Sequence, residues 1–178
     1  MEKLKGRTLL IVDVSGSMYH AKLSPHSELS RVQVACALAV MIRELCEEPL
    51  IYATAGNDMK RIHATRRVPS RRGFALSDAV YNLCTPLGGG GIFLTQVMDF
   101  VHKDIRSADR VIVITDEQDC SGGGQDAPAQ ARAFGTINYL INVASYKKGI
   151  GYGKWVHIDG WSDAVLRYIG EYEKLMKP

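Results

Sequence analysis

The chain has 178 residues, 46% of them hydrophobic and 23% charged, and its 22 basic and 19 acidic side chains leave a net charge of +3. That length suits one domain around one core, which buries roughly 70% of the surface its unfolded chain exposes. The composition excludes disordered and collagen-like chains, and the apolar runs fall far short of the ~20 residues a membrane-spanning helix needs.

Arg7 to Val12 is short and aliphatic and runs into a polar turn, which predicts a buried parallel strand. Ser30 to Cys46 carries Val32, Ala35, Cys36, Ala39, Ile42 and Leu45 at helical spacing, with Ser30 as N-cap and Pro49 beyond the end. Pro49 to Gly56 reads as a second strand, and Asn57-Asp58 as a turn. Lys60 to Thr65 alternates in part and suits a short antiparallel edge strand. Ser77-Asp78 cap a short helix to about Cys84, and Gly88 to Gly91 open a helical pattern of Leu94, Val97, Met98 and Val101. Asp109 to Asp116 is the clearest strand; Glu117 and Asp119 beyond it are expected to face solvent, and Ser121 to Asp126 to form a loop. Ala127 to Phe134 reads as a helix with Pro128 in its first turn. Strands at Thr136 to Ala144 and Trp155 to Ile158 flank a loop rich in glycine and lysine. Ser162 to Met176 closes the chain as a helix.

Strand and helix alternate almost throughout. A single α/β domain over residues 1–178 is therefore expected, a Rossmann-like, doubly wound and mostly parallel sheet of about six strands with helices on both faces. In such folds ligands sit beyond the carboxyl ends of the strands. The turn Asp13 to Ser17 and the acidic run from Asp116 both follow apolar strands, so both fall on that edge. The four cysteines, Cys36, Cys46, Cys84 and Cys120, form no CxxC pair and read as reduced thiols of a cytoplasmic protein. The polar residues Met1 to Gly6 do not read as a signal peptide.

Asp13, Ser15 and Ser17 alternate on a turn that leaves a strand, so their side chains can converge on one point. One carboxylate and two hydroxyls are hard oxygen donors, suited to Mg²⁺, Mn²⁺ or Ca²⁺ rather than zinc. Asp116 supplies a second carboxylate from a neighbouring strand end. No histidine pair has metal-ligand spacing such as HExxH. The glycine run 88–91 lacks the GK[ST] ending of a P-loop, and Phe93 stands at the last glycine position of GxGxxG.

Asp13-Val14-Ser15-Gly16-Ser17-Met18 resembles the DxSGSM signature of von Willebrand factor A domains, and the likeness extends through the order of elements and the VIVITD strand end at Asp116. The resemblance implies a metal ion-dependent adhesion site with Asp13, Ser15, Ser17 and Asp116 as its members; from the oxygen donors, Mg²⁺ is the expected ion. A partner's carboxylate fills the open metal position in that family. The family also uses a threonine before a helix; here Thr95 is that residue, or Gly91 takes the position and a water replaces the ligand. Leu87 to Gly91, Thr115-Asp116-Glu117 and Trp155 to Trp161 further resemble the C-terminal domain of Ro autoantigen (TROVE) proteins, whose separate helical ring binds small noncoding RNA. No such ring fits here, so the chain is expected to be an excised domain or a stand-alone relative.

The leading expectation is thus a non-catalytic, metal-dependent docking module for an acidic group on a protein partner, in a Ro-type ribonucleoprotein. One alternative is direct RNA binding by Lys60, Arg61, Arg66, Arg67, Arg71 and Arg72, which fall within thirteen residues and can meet phosphates electrostatically. Another is a metal-dependent phosphotransferase with Asp13 as nucleophile, but Ser15 stands where that chemistry needs a second aspartate.

Overall fold

The computed structural model describes residues 2–118, 120, 134, 137–144 and 155–176. The helix expected at Ala127 to Phe134 lies outside these residues except at its last position, as do Asp119 and the loops 121–126 and 146–154. Among the described residues the strands are β1 (Leu4–Asp13), β2 (Cys46–Asn57), β3 (Ile62–Arg67), β4 (Arg110–Thr115), β5 (Ile137–Asn142) and β6 (Trp155–Asp159). The helices are α1 (Gly16–His20), α2 (Arg31–Leu45), α3 (Gly73–Tyr81), α4 (Leu94–Asp104) and α5 (Asp163–Met176).

The six strands form one sheet in the order β3-β2-β1-β4-β5-β6. Every neighbouring pair is parallel except β2 with β3, which is antiparallel. Parallel strands buried on both faces must be apolar at nearly every position. β4 meets this demand with all six residues buried, and β1 with its last six. Alternate side chains then divide between two layers. Leu10, Val12, Ile112, Ile114 and Ile141 pack under α2, α3 and α5 through Val32, Leu38, Ile42, Leu76, Val80, Val165 and Ile169. Leu9, Ile11, Val111, Val113 and Leu140 pack under α4 through Leu94, Val97, Met98 and Val101. Fully burying each such aliphatic side chain contributes about 1.5–3 kcal/mol.

α2 begins where the sequence predicts. The Ser30 side chain accepts from the Gln33 N–H, and the Gln33 side chain accepts from the Ser30 N–H at 2.8 Å, a reciprocal capping box. Two boundaries differ from expectation. β2 starts at Cys46, directly after α2, because Cys46 already pairs with Leu4 of β1. α3 runs over 73–81 rather than 77–84; Leu76 and Val80, four residues apart, are its buried pair. α5 is tied to the sheet by Arg110. That buried guanidinium donates to Glu173 Oε1 at 2.5 Å, Thr8 Oγ1 at 2.9 Å and the Lys5 carbonyl at 2.7 Å.

Candidate metal centre

The strand order places β2 on one side of β1 and β4 on the other. Chains leaving the carboxyl ends of β1 and β4 therefore diverge, and a crevice opens between them at the switch point. Asp13 ends β1 and Asp116 follows β4, so both acidic turns flank that crevice.

Asp13 has no exposed surface. Its Oδ1 accepts from the Ser15 N–H at 2.9 Å, a turn characteristic of aspartate. Its Oδ2 accepts from the Thr115 hydroxyl at 2.7 Å. The Ser15 and Ser17 hydroxyl oxygens lie 3.3 Å apart. Burial first, and then the neighbouring Asp116 carboxylate, push the Asp13 carboxyl up to about 7, against the lowering effect of its hydrogen bonds to Ser15 and Thr115. Asp116 is also fully buried, and the Arg31 guanidinium donates to its Oδ2 at 2.6 Å. Two carboxylates thus share a site from which water is largely excluded, and one of them already carries an internal cation.

The turn can tighten only because Gly16 stands beneath the glycine run. A Cβ on Gly16 would come within 2.4 Å of the Gly89 carbonyl oxygen, and one on Gly56 within 2.6 Å of the Gly91 carbonyl and the Phe93 ring. Beside the turn a recess of about 220 Å³ is lined by Val14, Gly16, Tyr19, His20, Cys84, Thr85, Gly88 and Gly89. The turn expected over Asp13 to Ser17 runs into the short helix α1, Gly16–His20, with Ser15 at its N-cap position.

Asp13, Ser15 and Ser17 are thus gathered, and Asp116 is close enough to Asp13 to repel it. Thr95 is the second residue of α4 and half-buried, inside the helix rather than in the loop before it. The donor set fits a hard divalent cation. Its chemistry is all oxygen, its charge is confined to two buried carboxylates, and the turn is held open to the recess by glycines. Asp13, Ser15 and Ser17 would hold the ion, and Asp116, engaged by Arg31, would act from further away.

Glu117 does not face solvent as expected. It is 2% exposed, has φ of 63°, and meets His157 of β6. His157 and Asp159 fall on one face of β6, with their ligand atoms and that of Glu117 all within 4.8 Å of one another. Glu117 and His157 are 40 residues apart, so no spacing in the sequence joins them; the period-2 alternation of β6 is the one available signal. Trp155 is core, whereas Trp161 and Tyr168 are about half exposed.

The basic residues Lys60, Arg61, Arg66, Arg67, Arg71 and Arg72 are all exposed. They run along the edge strand β3 and its flanks, from the Asn57 end of β2 to beyond Tyr52. Arg72 is paired with Glu44 through Nε at 3.0 Å, and Arg61 donates to the Cys120 carbonyl at 3.2 Å.

A mostly parallel six-stranded sheet of this order, with helices on both faces, is a Rossmann-like α/β fold of the kind von Willebrand A domains adopt. The chain resembles the RO (RSR) protein of Deinococcus radiodurans, with a TM-score of 0.68 at 18% identity over 97% of this chain. It spans only 35% of that protein's length. BatB from Bacteroides thetaiotaomicron matches with a TM-score of 0.60 at 15% identity, over 97% of this chain and 98% of that one. An aerotolerance-related membrane protein from Bacteroides fragilis matches with a TM-score of 0.51 at 15% identity, over 78% and 67%. No family model and no curated protein matches the sequence. Among the described residues no helix is long and apolar enough to cross a membrane.

Proposed function

We propose that the chain is a non-catalytic docking module that binds one divalent cation, Mg²⁺ in preference to Mn²⁺ or Ca²⁺, through Asp13, Ser15 and Ser17. Asp116 and Thr95 complete the surroundings, and a carboxylate of a protein partner is the external ligand. The observation that carries this reading is the fully buried Asp13 carboxylate beside the buried Asp116, on a turn whose Ser15 and Ser17 hydroxyl oxygens lie 3.3 Å apart. When bound, the ion supplies a Lewis-acidic point for an acidic group. The chain's own part is to hold the hydroxyls of Ser15 and Ser17 together, orient Asp13 through Thr115, and keep the recess beside Gly16 open to the partner. Ser15 at the position of a second aspartate argues against phosphoryl transfer.

The likeness in fold to a Ro protein supports a place in a Ro-type ribonucleoprotein, with small noncoding RNA as an associated partner. The free cysteines, three of them buried, suit a reducing, cytoplasmic setting. Titration calorimetry of Mg²⁺ and Mn²⁺ into the metal-free chain and into Asp13→Ala tests the reading. One-to-one binding that the variant loses supports it; a wild type that takes up neither ion overturns it.

Direct RNA contact through the basic stretch is a second reading, favoured by the exposure of all six residues, two of them on the edge strand β3 and four on its flanks. Charge reversal of Arg66, Arg67, Arg71 and Arg72 is then expected to abolish RNA retention in a filter assay, with a salt dependence that flattens as phosphate contacts are lost. Unchanged retention excludes this reading.

A further inference from the structure

The carboxyl edge of the sheet carries a second group of ligating side chains, on the far side of β4 from Asp13. We propose that Glu117, His157 and Asp159 form a separate site for a divalent transition ion, with Zn²⁺ as its best-suited occupant. This site does not depend on the docking function proposed for the Asp13 turn.

Two stretches of chain supply its ligands, and a third orients one of them. His157 and Asp159 are two residues apart on β6 and so project to the same face, the one that Trp155 and Leu140 fill lower down. Glu117 stands beyond Asp116 at the end of β4, and its N–H donates to the Thr115 hydroxyl at 3.1 Å while its backbone takes φ of 63°. That turn sends its carboxylate across the end of β5 to the His157 ring. Asn142, at the end of β5 between them, donates from Nδ2 to Asp159 Oδ1 at 3.1 Å and so orients the second carboxylate. One ligand atom from each of the three residues falls within a 4.8 Å sphere of separation.

The chemistry differs from that of the Asp13 turn. One imidazole nitrogen and two carboxylate oxygens make a mixed donor set, which Zn²⁺ accepts with three protein ligands and an open fourth position. Mg²⁺ takes oxygen and binds imidazole poorly. Burial sharpens the case, because the side chains of Glu117 and His157 are 1% and 11% exposed. The enclosure keeps the Glu117 carboxylate and the His157 ring against one another and largely out of water. Asp159, 44% exposed, leaves the site accessible from solvent. A supporting partner such as Asn142 on a ligating carboxylate is the arrangement usual around protein-bound metals. An ion here would pin the segment after β4 to the edge strand β6.

The test is Zn²⁺ titration by calorimetry in the Asp13→Ala background, where the other site is removed, with Mg²⁺ as the contrasting ion. One equivalent of Zn²⁺ with no Mg²⁺ uptake is expected. Asp159→Asn, at an exposed position where folding is spared, is expected to weaken Zn²⁺ by roughly tenfold or more, and His157→Gln to remove the equivalent. In the wild-type chain, the ¹⁵N signal of His157 Nε2 should move to a metal-bound position on Zn²⁺ addition and stay put with Mg²⁺. Zn²⁺ uptake that both variants leave unchanged, or a His157 signal that ignores Zn²⁺, overturns the proposal and leaves an ordinary histidine–carboxylate ion pair.

Discussion

Asp13 is a carboxylate with no exposed surface. Its carboxyl is raised from 3.8 to about 7 by burial and by Asp116. Between about pH 4 and 7 the folded chain therefore holds a proton that the unfolded chain has released, so stability falls as pH rises through that window. Across the whole window the loss amounts to about 4 kcal/mol. Thermal melts in EDTA should show the decline, and Asp13→Asn should flatten it and melt higher than wild type at pH 8. Mg²⁺ should reverse the wild-type trend, because the ion favours the ionised form. Arg31 makes the matching prediction for Asp116. Arg31→Met leaves that buried carboxylate uncompensated, at a cost of about 3–5 kcal/mol in urea denaturation, and Mg²⁺ should raise the melting temperature of this variant more than that of wild type. At this scale the sequence discloses Asp13, Ser15 and Ser17, because three donors on five consecutive residues need only one turn to meet. It hides Arg31, Glu117 and His157, because each finds its partner across 40 residues or more.

The elements are easiest to read where local chemistry and tertiary packing agree. α2 has its capping box and its apolar stripe in register, so its start is legible, and Ser30→Ala should cost about 1 kcal/mol by urea denaturation. The sequence places α3 four residues late because Arg72, at its N-cap position, makes no side-chain cap hydrogen bond, while Ser77 within the helix mimics one. α1 leaves no mark in the sequence; five residues are too few for a periodic pattern, and burial of Met18 holds it in place. The glycine run has a meaning that its sequence suggests only faintly. It forms a backbone surface pressed against Gly16 and against Gly56 at the end of β2. Gly56→Ala must therefore displace either the Gly91 carbonyl or the Phe93 ring, and a loss of about 1–3 kcal/mol is expected in the same denaturation assay. Gly16→Ala should instead weaken Mg²⁺, since the Gly89 carbonyl that it would strike backs the metal turn.

For the whole molecule, alternation of strand and helix is enough to predict the parallel sheet and the edge on which a ligand would sit. The strand order is not legible, because parallel pairing leaves no turn signal to show which strands are neighbours. That order matters more than any single residue, since it sets β1 between β2 and β4 and so creates the crevice at Asp13. It also has a consequence in time. Thr8 of β1 pairs with Arg110 of β4, 102 residues further along. At a synthesis rate of about 5–20 residues per second, β1 leaves the ribosome roughly 5–20 s before β4 follows. β2 and β3 emerge in that interval and can cover one side of β1, while its other side stays an unpaired aliphatic edge of the sort that recruits foreign strands. The nascent chain is therefore most vulnerable along a strand that the finished protein encloses in the middle of its sheet, and its yield in the cell should depend on whatever shields that edge until β4 arrives.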